Sequence, residues 1–321
     1  MKILLSCVNS LVSFIGFDTD SASAFWYCPA NQFRACGAAY DPERNALLVA
    51  TDTTLTRIGP NGRIDTRELP GPHANMAHSV HLLEGMGVGV ADTGNSRVLV
   101  FGDDLQGAME FSPLEGWGAI GPDVIHLNDF VSTPYGLVAS CFNYRPYRTV
   151  ETPGTVWQKN GYGLLLSLEK RHGRNVGKVV GSGLDCPHSL VWKDGRLYCC
   201  ASATGEFVRL APTPRGQFVE EERIAVSSDH FLRGALPLED GGWILGGSTS
   251  RRTDGSQGMA VFILDGNNAV QTIPIGPIGE IYDVLPWNQE IMSSAAEYMH
   301  SLPPVLGEEG YEYPPPCVLP S

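Results

Sequence analysis

Short apolar runs broken by Gly, Asp, Asn and Pro turns fill the chain, and a 3.6-residue helical period is nearly absent. The runs pair into a two-strand phrase that recurs. It reads "RACGAAYDPERNALLVATDTTLTRI" from Arg34, "AHSVHLLEGMGVGVADTGNSRVLVF" from Ala77 and "IHLNDFVSTPYGLVASCFN" from Ile125. It returns as "PHSLVWKDGRLYCCASATGEFVRL" from Pro187, "FLRGALPLEDGGWILGGSTSRR" from Phe231 and "GEIYDVLPWNQEIMSSAAEY" from Gly279. With Cys36, His78, His126, His188, Arg233 and Glu280 as anchors, the intervals are 42, 48, 62, 45 and 47 residues. Periods of about 40–50 residues with β patterning are the signature of propeller blades.

The pattern predicts an all-β chain: a β-propeller of six four-stranded blades. An open end would leave an unpaired sheet edge, so the N-terminal strands "KILLSC" and "LVSFIGF" are expected to join the unit from Gly279 and complete the last blade. Residues 1–300 then form a single propeller domain, followed by a Pro-rich tail over 301–321. The long third interval contains the insertion Arg145 to Gly163, whose Tyr147 and Trp157 make it a candidate lid or substrate wall.

Composition narrows the partners. The 321 residues carry a formal net charge of −13 and no basic cluster beyond Arg251-Arg252, which disfavours a phosphate backbone as ligand. No apolar run approaches the roughly 20 residues of a membrane span. The opening "MKILLSCVNSLVSF" imitates a secretion signal, but polar residues interrupt it and "LLSCVN" resembles the internal strand "LVASCFN". Eight cysteines without a CxxC pair sit mostly within strand patterns, which suits reduced thiols and a cytoplasmic location.

Residues at the same place in successive blades converge on a central channel. Cys36, His78, His126, His188, Arg233 and Glu280 form such a set, with Asp283 competing for the last place and His126 uncertain by one residue. His78, His126 and His188 as ligands would hold one divalent ion, Zn²⁺, Mn²⁺ or Fe²⁺, with a position open to water or substrate. Without metal, the imidazoles can exchange protons while Arg233 fixes a carboxylate and Glu280 faces it. The plainer alternative is that each histidine donates to a nearby carbonyl and Arg233 pairs with Glu280 or Asp283. Asn128 and Cys36 are secondary candidates; His81, Asp129 and Cys186 read as structural. Asp-Thr-Gly at Asp92 is a tight turn, because an aspartic protease needs two such carboxylates.

"ADTGNSRVLVF" resembles the NHL repeat, which builds six-bladed propellers. The wider order "HLNDFVS", "PHSLVWKDGRLYCCASATGEFVRL", "LRGALPLEDGG" and "GEIYDVLP" resembles an uncharacterised bacterial propeller family, often described as TPR-associated, over almost the whole chain. His126, Asn128, His188, Ser189, Arg233, Gly234, Glu280 and Asp283 match that pattern. Asp129 stands where Gly is expected, and Leu190-Val191 where Pro-Arg is. The metal-dependent lactonase-type propellers are similar in architecture only, since their site uses Glu, Asn and Asp.

Two functions follow as expectations. One is an enzyme with its site in the channel, acting on a small carboxylated or sugar-like metabolite by lyase, isomerase or metal-assisted hydrolytic chemistry. The other is a ligand- or protein-binding propeller with structural histidines. A small molecule is the expected partner, with neither nucleic acid nor membrane.

Overall fold

The computed structural model describes residues 1–8, 10, 12–29, 35–72, 76–115, 122–142, 162–249, 258–276 and 279–301. Its strands are β1 (Lys2–Val8), β2 (Val12–Asp18), β3 (Ser23–Pro29), β4 (Gly37–Asp41), β5 (Ala46–Ala50), β6 (Thr54–Ile58) and β7 (Ile64–Glu68). Then come β8 (Ala77–Leu83), β9 (Gly87–Asp92), β10 (Arg97–Phe101), β11 (Ala108–Phe111), β12 (Leu127–Thr133), β13 (Gly136–Cys141), β14 (Gly163–Arg171) and β15 (Arg174–Leu184). The remainder are β16 (Pro187–Lys193), β17 (Arg196–Ala201), β18 (Glu206–Pro212), β19 (Phe218–Ala225), β20 (His230–Pro237), β21 (Trp243–Thr249), β22 (Met259–Leu264), β23 (Val270–Gly276) and β24 (Glu280–Pro286). They form six four-stranded antiparallel blades, and the fold is a β-propeller, as the repeat predicts.

Contacts divide the chain into two compact units, residues 1–68 with 233–321, and residues 69–232. In the first, the order β24-β1-β2-β3 pairs the C-terminal strand with the N-terminal ones, Leu5 opposite Val284 and Ser6 opposite Asp283. The expected completion of the last blade therefore holds, and the signal-like opening is buried strand. The insertion 145–163 lies outside the described residues apart from its last two, as do the tail beyond 301 and Arg251-Arg252.

Burial explains which strands are which. The second and third strands are apolar on both sides: β5 "ALLVA", β9 "GVGVAD" and β10 "RVLVF" are buried throughout. Leu47 and Val49 of β5 pack with Trp26 and Met292 in their own unit, and Ala91, Val98 and Val100 of β9 and β10 pack with Leu127, Phe130 and Ala139 in theirs, and buried strands of this kind show no polar alternation. Outermost strands carry charge instead, as in β7 "IDTRE" and β19 "FVEEERIA", which blunts an exposed edge against further pairing.

The one α-helix among the described residues, α1 (Gln289–Ser301), departs from the expectation that the last phrase is purely β. Asn288 caps it, its Oδ1 accepting the Ile291 amide at 3.1 Å. Ile291, Met292, Ala295, Ala296 and Met299 all pack in one core cluster with Leu47, Val49 and Trp26. Their spacing is helical, although the stretch directly follows a strand phrase of the repeat.

Directional bonds join blade to blade. In residues 69–232, Thr93 Oγ1 donates to the Leu127 carbonyl and Ser202 Oγ to the Leu232 carbonyl, both at 2.5 Å. The Asp129 carboxylate, 4% exposed, accepts the Leu190 amide of the next blade at 2.5 Å. In the other unit Asp283 does the same for the Ala38 amide at 2.9 Å and accepts the Ser6 hydroxyl at 3.3 Å. Orphaning such buried amides costs roughly 1–3 kcal/mol each.

Asp283→Ala is therefore expected to lower the urea unfolding midpoint by the equivalent of roughly 1–3 kcal/mol without changing the denaturant slope. Chemistry at sulfur gives a second check. Cys7, Cys28, Cys36, Cys141, Cys186, Cys199 and Cys200 are free and buried, and burial pushes the Cys28 and Cys199 thiols up to about 12. Protonated thiols are poor nucleophiles, so iodoacetamide near neutral pH should label none of these seven in native protein and all of them after denaturation.

Candidate functional site

In residues 69–232 the first strands of the blades, β8, β12 and β16, stand side by side. Each opens on a bulge, between Ala77 and Val80, Leu127 and Asp129, and His188 and Val191. The bulge is preceded by a residue in the left-handed region: Met76 (φ 49°), His126 (φ 49°) and Cys186 (φ 52°). Two positions later a short donor reaches back to that residue's carbonyl. His78 Nδ1 bonds Met76 O at 2.8 Å, Asn128 Nδ2 bonds His126 O at 3.0 Å, and His188 Nδ1 bonds Cys186 O at 2.9 Å.

These bonds fix the register of the repeat. The place shared by His78 and His188 is held by Asn128 in the intervening blade, and His126 lies two residues earlier. The blade-to-blade bonds extend the same register: Leu232 matches Leu127, and Ala38 matches Leu190. Arg233 and Cys36 therefore occupy the shared place, and in the last blade Asp283 matches Asp129, which puts Tyr282 there and Glu280 two before it. The displacement of two residues exceeds the one allowed from sequence, because a bulge adds a residue that pattern alone does not count.

The recurrent donor thus has a structural task that Asn performs as well as His. What differs is the second nitrogen. A carbonyl only accepts, so His78 and His188 carry their proton on Nδ1 and leave Nε2 as the basic nitrogen. For His188 the Ser202 hydroxyl, 2.9 Å away and itself donating to Leu232 O, enforces the same tautomer. His126, 2% exposed, places Nδ1 2.8 Å from the Asp123 carboxylate, which again assigns the proton to Nδ1. Asp123 is invisible to the repeat, since it sits in the turn before the strand.

The rings form a row. His78 meets His126 edge to face at 5.2 Å, His126 touches Phe142 at 4.5 Å, Phe142 touches His188 at 5.1 Å, and His188 touches Phe231 at 5.3 Å. Phe142 stands between the second and third imidazoles. Among the described residues no group of three or more His, Cys, Asp or Glu side chains is arranged to hold a metal ion. Buried Asn128, 1% exposed, leaves its Oδ1 without a hydrogen-bond partner among the described residues.

In the other unit Arg233 bonds Glu280 directly and lies 4.3 Å over the Tyr282 ring. That is the plainer of the two arrangements expected for it. Gly234 follows at φ +72°, and a Cβ there would stand 2.8 Å from the Val284 amide nitrogen, which explains the Arg-Gly pair. The Cys36 thiol contacts Asp52 Oδ1 at 3.4 Å. Asp92 is fully buried and accepts from Asn95 and Arg97, so Asp-Thr-Gly is the expected turn; desolvation raises its carboxyl.

At the far ends of β8, β12 and β16 lies a cleft of about 480 Å³ lined by His81, Glu84, Ser132, Thr133 and Trp192, among others. His81 Nε2 is 2.6 Å from Asp129 Oδ1. Sequence marked both residues as structural; the link across 48 positions is a product of the fold.

No family model and no curated protein matches the sequence. Solved structures do match. A protein of unknown function from Bacteroides caccae superposes with a TM-score of 0.62 at 14% identity, covering 88% of this chain and 97% of that one. A chain of the nidogen/laminin complex gives 0.58 at 13% identity, with 88% and 97% covered. A Bacteroides uniformis protein provisionally assigned as a 6-phosphogluconolactonase gives 0.52 at 13%, with 86% and 83% covered. At such identities the likeness is one of fold. No helix among the described residues is long and apolar enough to cross a membrane.

Long-range ¹H–¹⁵N correlation spectra should show neutral His78, His126 and His188 protonated on Nδ1 and His81 protonated on Nε2. The reverse pattern at any of them would reassign its hydrogen bond.

Proposed function

We propose that this protein is an enzyme that moves protons on a small polar metabolite, carboxylated or sugar-like, in a reaction of the lyase or isomerase class. The observation that carries the reading is the line from Asp123 through His126 to His78. A carboxylate orients one imidazole, which packs against a second that is half-exposed, and both have Nε2 as the basic nitrogen. Imidazole is the side chain whose unperturbed charge change falls nearest neutrality, and a positioned base contributes roughly 10²–10⁴-fold to rate.

In this reading His78 is the group that meets substrate. Its Nε2 takes a proton from carbon or oxygen, and the same group returns it to the product side. His126 and Asp123 position His78 and set the polarity around it. His188, across the Phe142 ring from His126, serves as a second acid or base. Asn128 Oδ1, which has no hydrogen-bond partner among the described residues, adds an acceptor beside the row.

Acid–base chemistry is preferred to metal-assisted hydrolysis because Phe142 separates the imidazoles that would have to converge on one ion. Arg233 is assigned to the ion pair with Glu280. The NHL-like and TPR-associated character of the wider propeller family remains a resemblance of motifs, and the free thiols support a reducing, cytoplasmic setting. Lactonase-type names among the solved neighbours are compatible with an enzyme.

Incubating the protein with a panel of small carboxylates and sugars in D₂O, and following solvent exchange by NMR, tests this. At least one compound should gain deuterium or convert. His78→Gln should then lower kcat by about 10²-fold or more, and Asp123→Asn should lower it while leaving KM nearly unchanged. Turnover that survives His78→Gln would remove the assignment.

A further inference from the structure

The cleft at the far ends of the first strands is separate from the imidazole row. His78 and Leu83 lie five residues apart on β8, which corresponds to roughly 17 Å of strand. The cleft's volume of about 480 Å³ lies within the roughly 300–1,000 Å³ range of small-molecule sites.

Its walls have two kinds of chemistry. Trp192 supplies an aromatic surface and is held in place by edge contacts with Tyr135 at 6.3 Å and Phe218 at 6.2 Å. Opposite in kind are the Ser132 hydroxyl, the Glu84 carboxylate and the His81 imidazole. His81 is anchored rather than loose: Nε2 bonds Asp129, whose carboxylate is also bound by the Phe130 and Leu190 amides at 2.8 and 2.5 Å. The ring further packs edge to face on Phe130 at 4.9 Å. Thr133 is committed to its turn, donating to the Gly136 carbonyl at 2.9 Å, and so shapes the floor.

We propose that this cleft is a second ligand site and that it takes an uncharged sugar ring. A pyranose has an apolar C–H face that suits an indole surface and a rim of hydroxyls that needs donors and acceptors at fixed places. Ser132, Glu84 and His81 provide both. An anionic ligand is disfavoured, since Glu84 and Asp129 put two carboxylates beside the cleft and no Lys or Arg among the described residues lines it. The Asp129 carboxylate, by holding both His81 and the Leu190 amide, ties the cleft's imidazole to the contact between two blades.

The test is ¹H–¹⁵N NMR of the full chain titrated with methyl β-D-glucopyranoside, methyl β-D-galactopyranoside and methyl α-D-mannopyranoside, with D-glucuronate and choline as comparisons. The expected result is saturable shifts of the Trp192 indole, His81 and Ser132 signals with at least one pyranoside, and at least tenfold weaker binding of glucuronate. Trp192→Ala should weaken binding at least tenfold. Should that variant not fold, Glu84→Ala, at an exposed turn, should weaken it severalfold. His78→Gln, at the opposite end of β8, should leave the shifts in place whether or not the proton-transfer reading holds. No saturable shift up to 50 mM, shifts with choline alone, shifts indifferent to Trp192→Ala and Glu84→Ala, or their loss in His78→Gln would each overturn the proposal.

Discussion

The interaction on which the rest depends is the directional bond from a buried side chain of one blade to the backbone of the next. Apolar burial drives the blades together, but it is non-directional and tolerates sliding. A carboxylate accepting a particular amide does not tolerate it. Asp129 on the Leu190 amide and Asp283 on the Ala38 amide, with the hydroxyls of Thr93 and Ser202 on neighbouring carbonyls, set the registry of one four-stranded sheet on another. Hydrogen bonds to charged groups are worth roughly 1.5–3 kcal/mol each, enough to select one registry among several of similar apolar area.

The same registry creates the chemistry. Strands β8, β12 and β16 each open on a bulge preceded by a left-handed residue, and a short polar side chain two positions later closes it by bonding that residue's carbonyl. Histidine and asparagine both satisfy the requirement. Only histidine carries a second nitrogen into the space beyond, and the structural bond decides which nitrogen that is. Structural and chemical roles are therefore successive properties of one side chain, the first preparing the tautomer on which the second relies.

A propeller of this kind presents two ends of the same strands, and residues 69–232 use both. At one end three imidazoles and the Phe142 and Phe231 rings pack in a row; at the other, a cleft opens beside Trp192. Asp129 lies along the strand between them and serves the cleft through His81 and the blade contact through the Leu190 amide at once. The solved neighbours span a protein complex and a provisionally assigned lactonase, so fold alone discriminates no function here.

Sequence by itself determined the blade count, the four-stranded unit and the pairing of the N-terminal strands with the Gly279 segment, because those follow from a local period and from the need to close a sheet edge. It also marked His78, His188, Arg233 and Asp283 as patterned residues. It did not determine their partners. The two-residue displacement of His126, the Asp123 carboxylate behind it, the Phe142 ring between imidazoles and the link from His81 to Asp129 all depend on bulges and on contacts between blades. A bulge changes the count of residues without changing their polarity, and a contact between blades joins positions tens of residues apart. Neither leaves a periodic trace in the chain; both were decided by the tertiary structure.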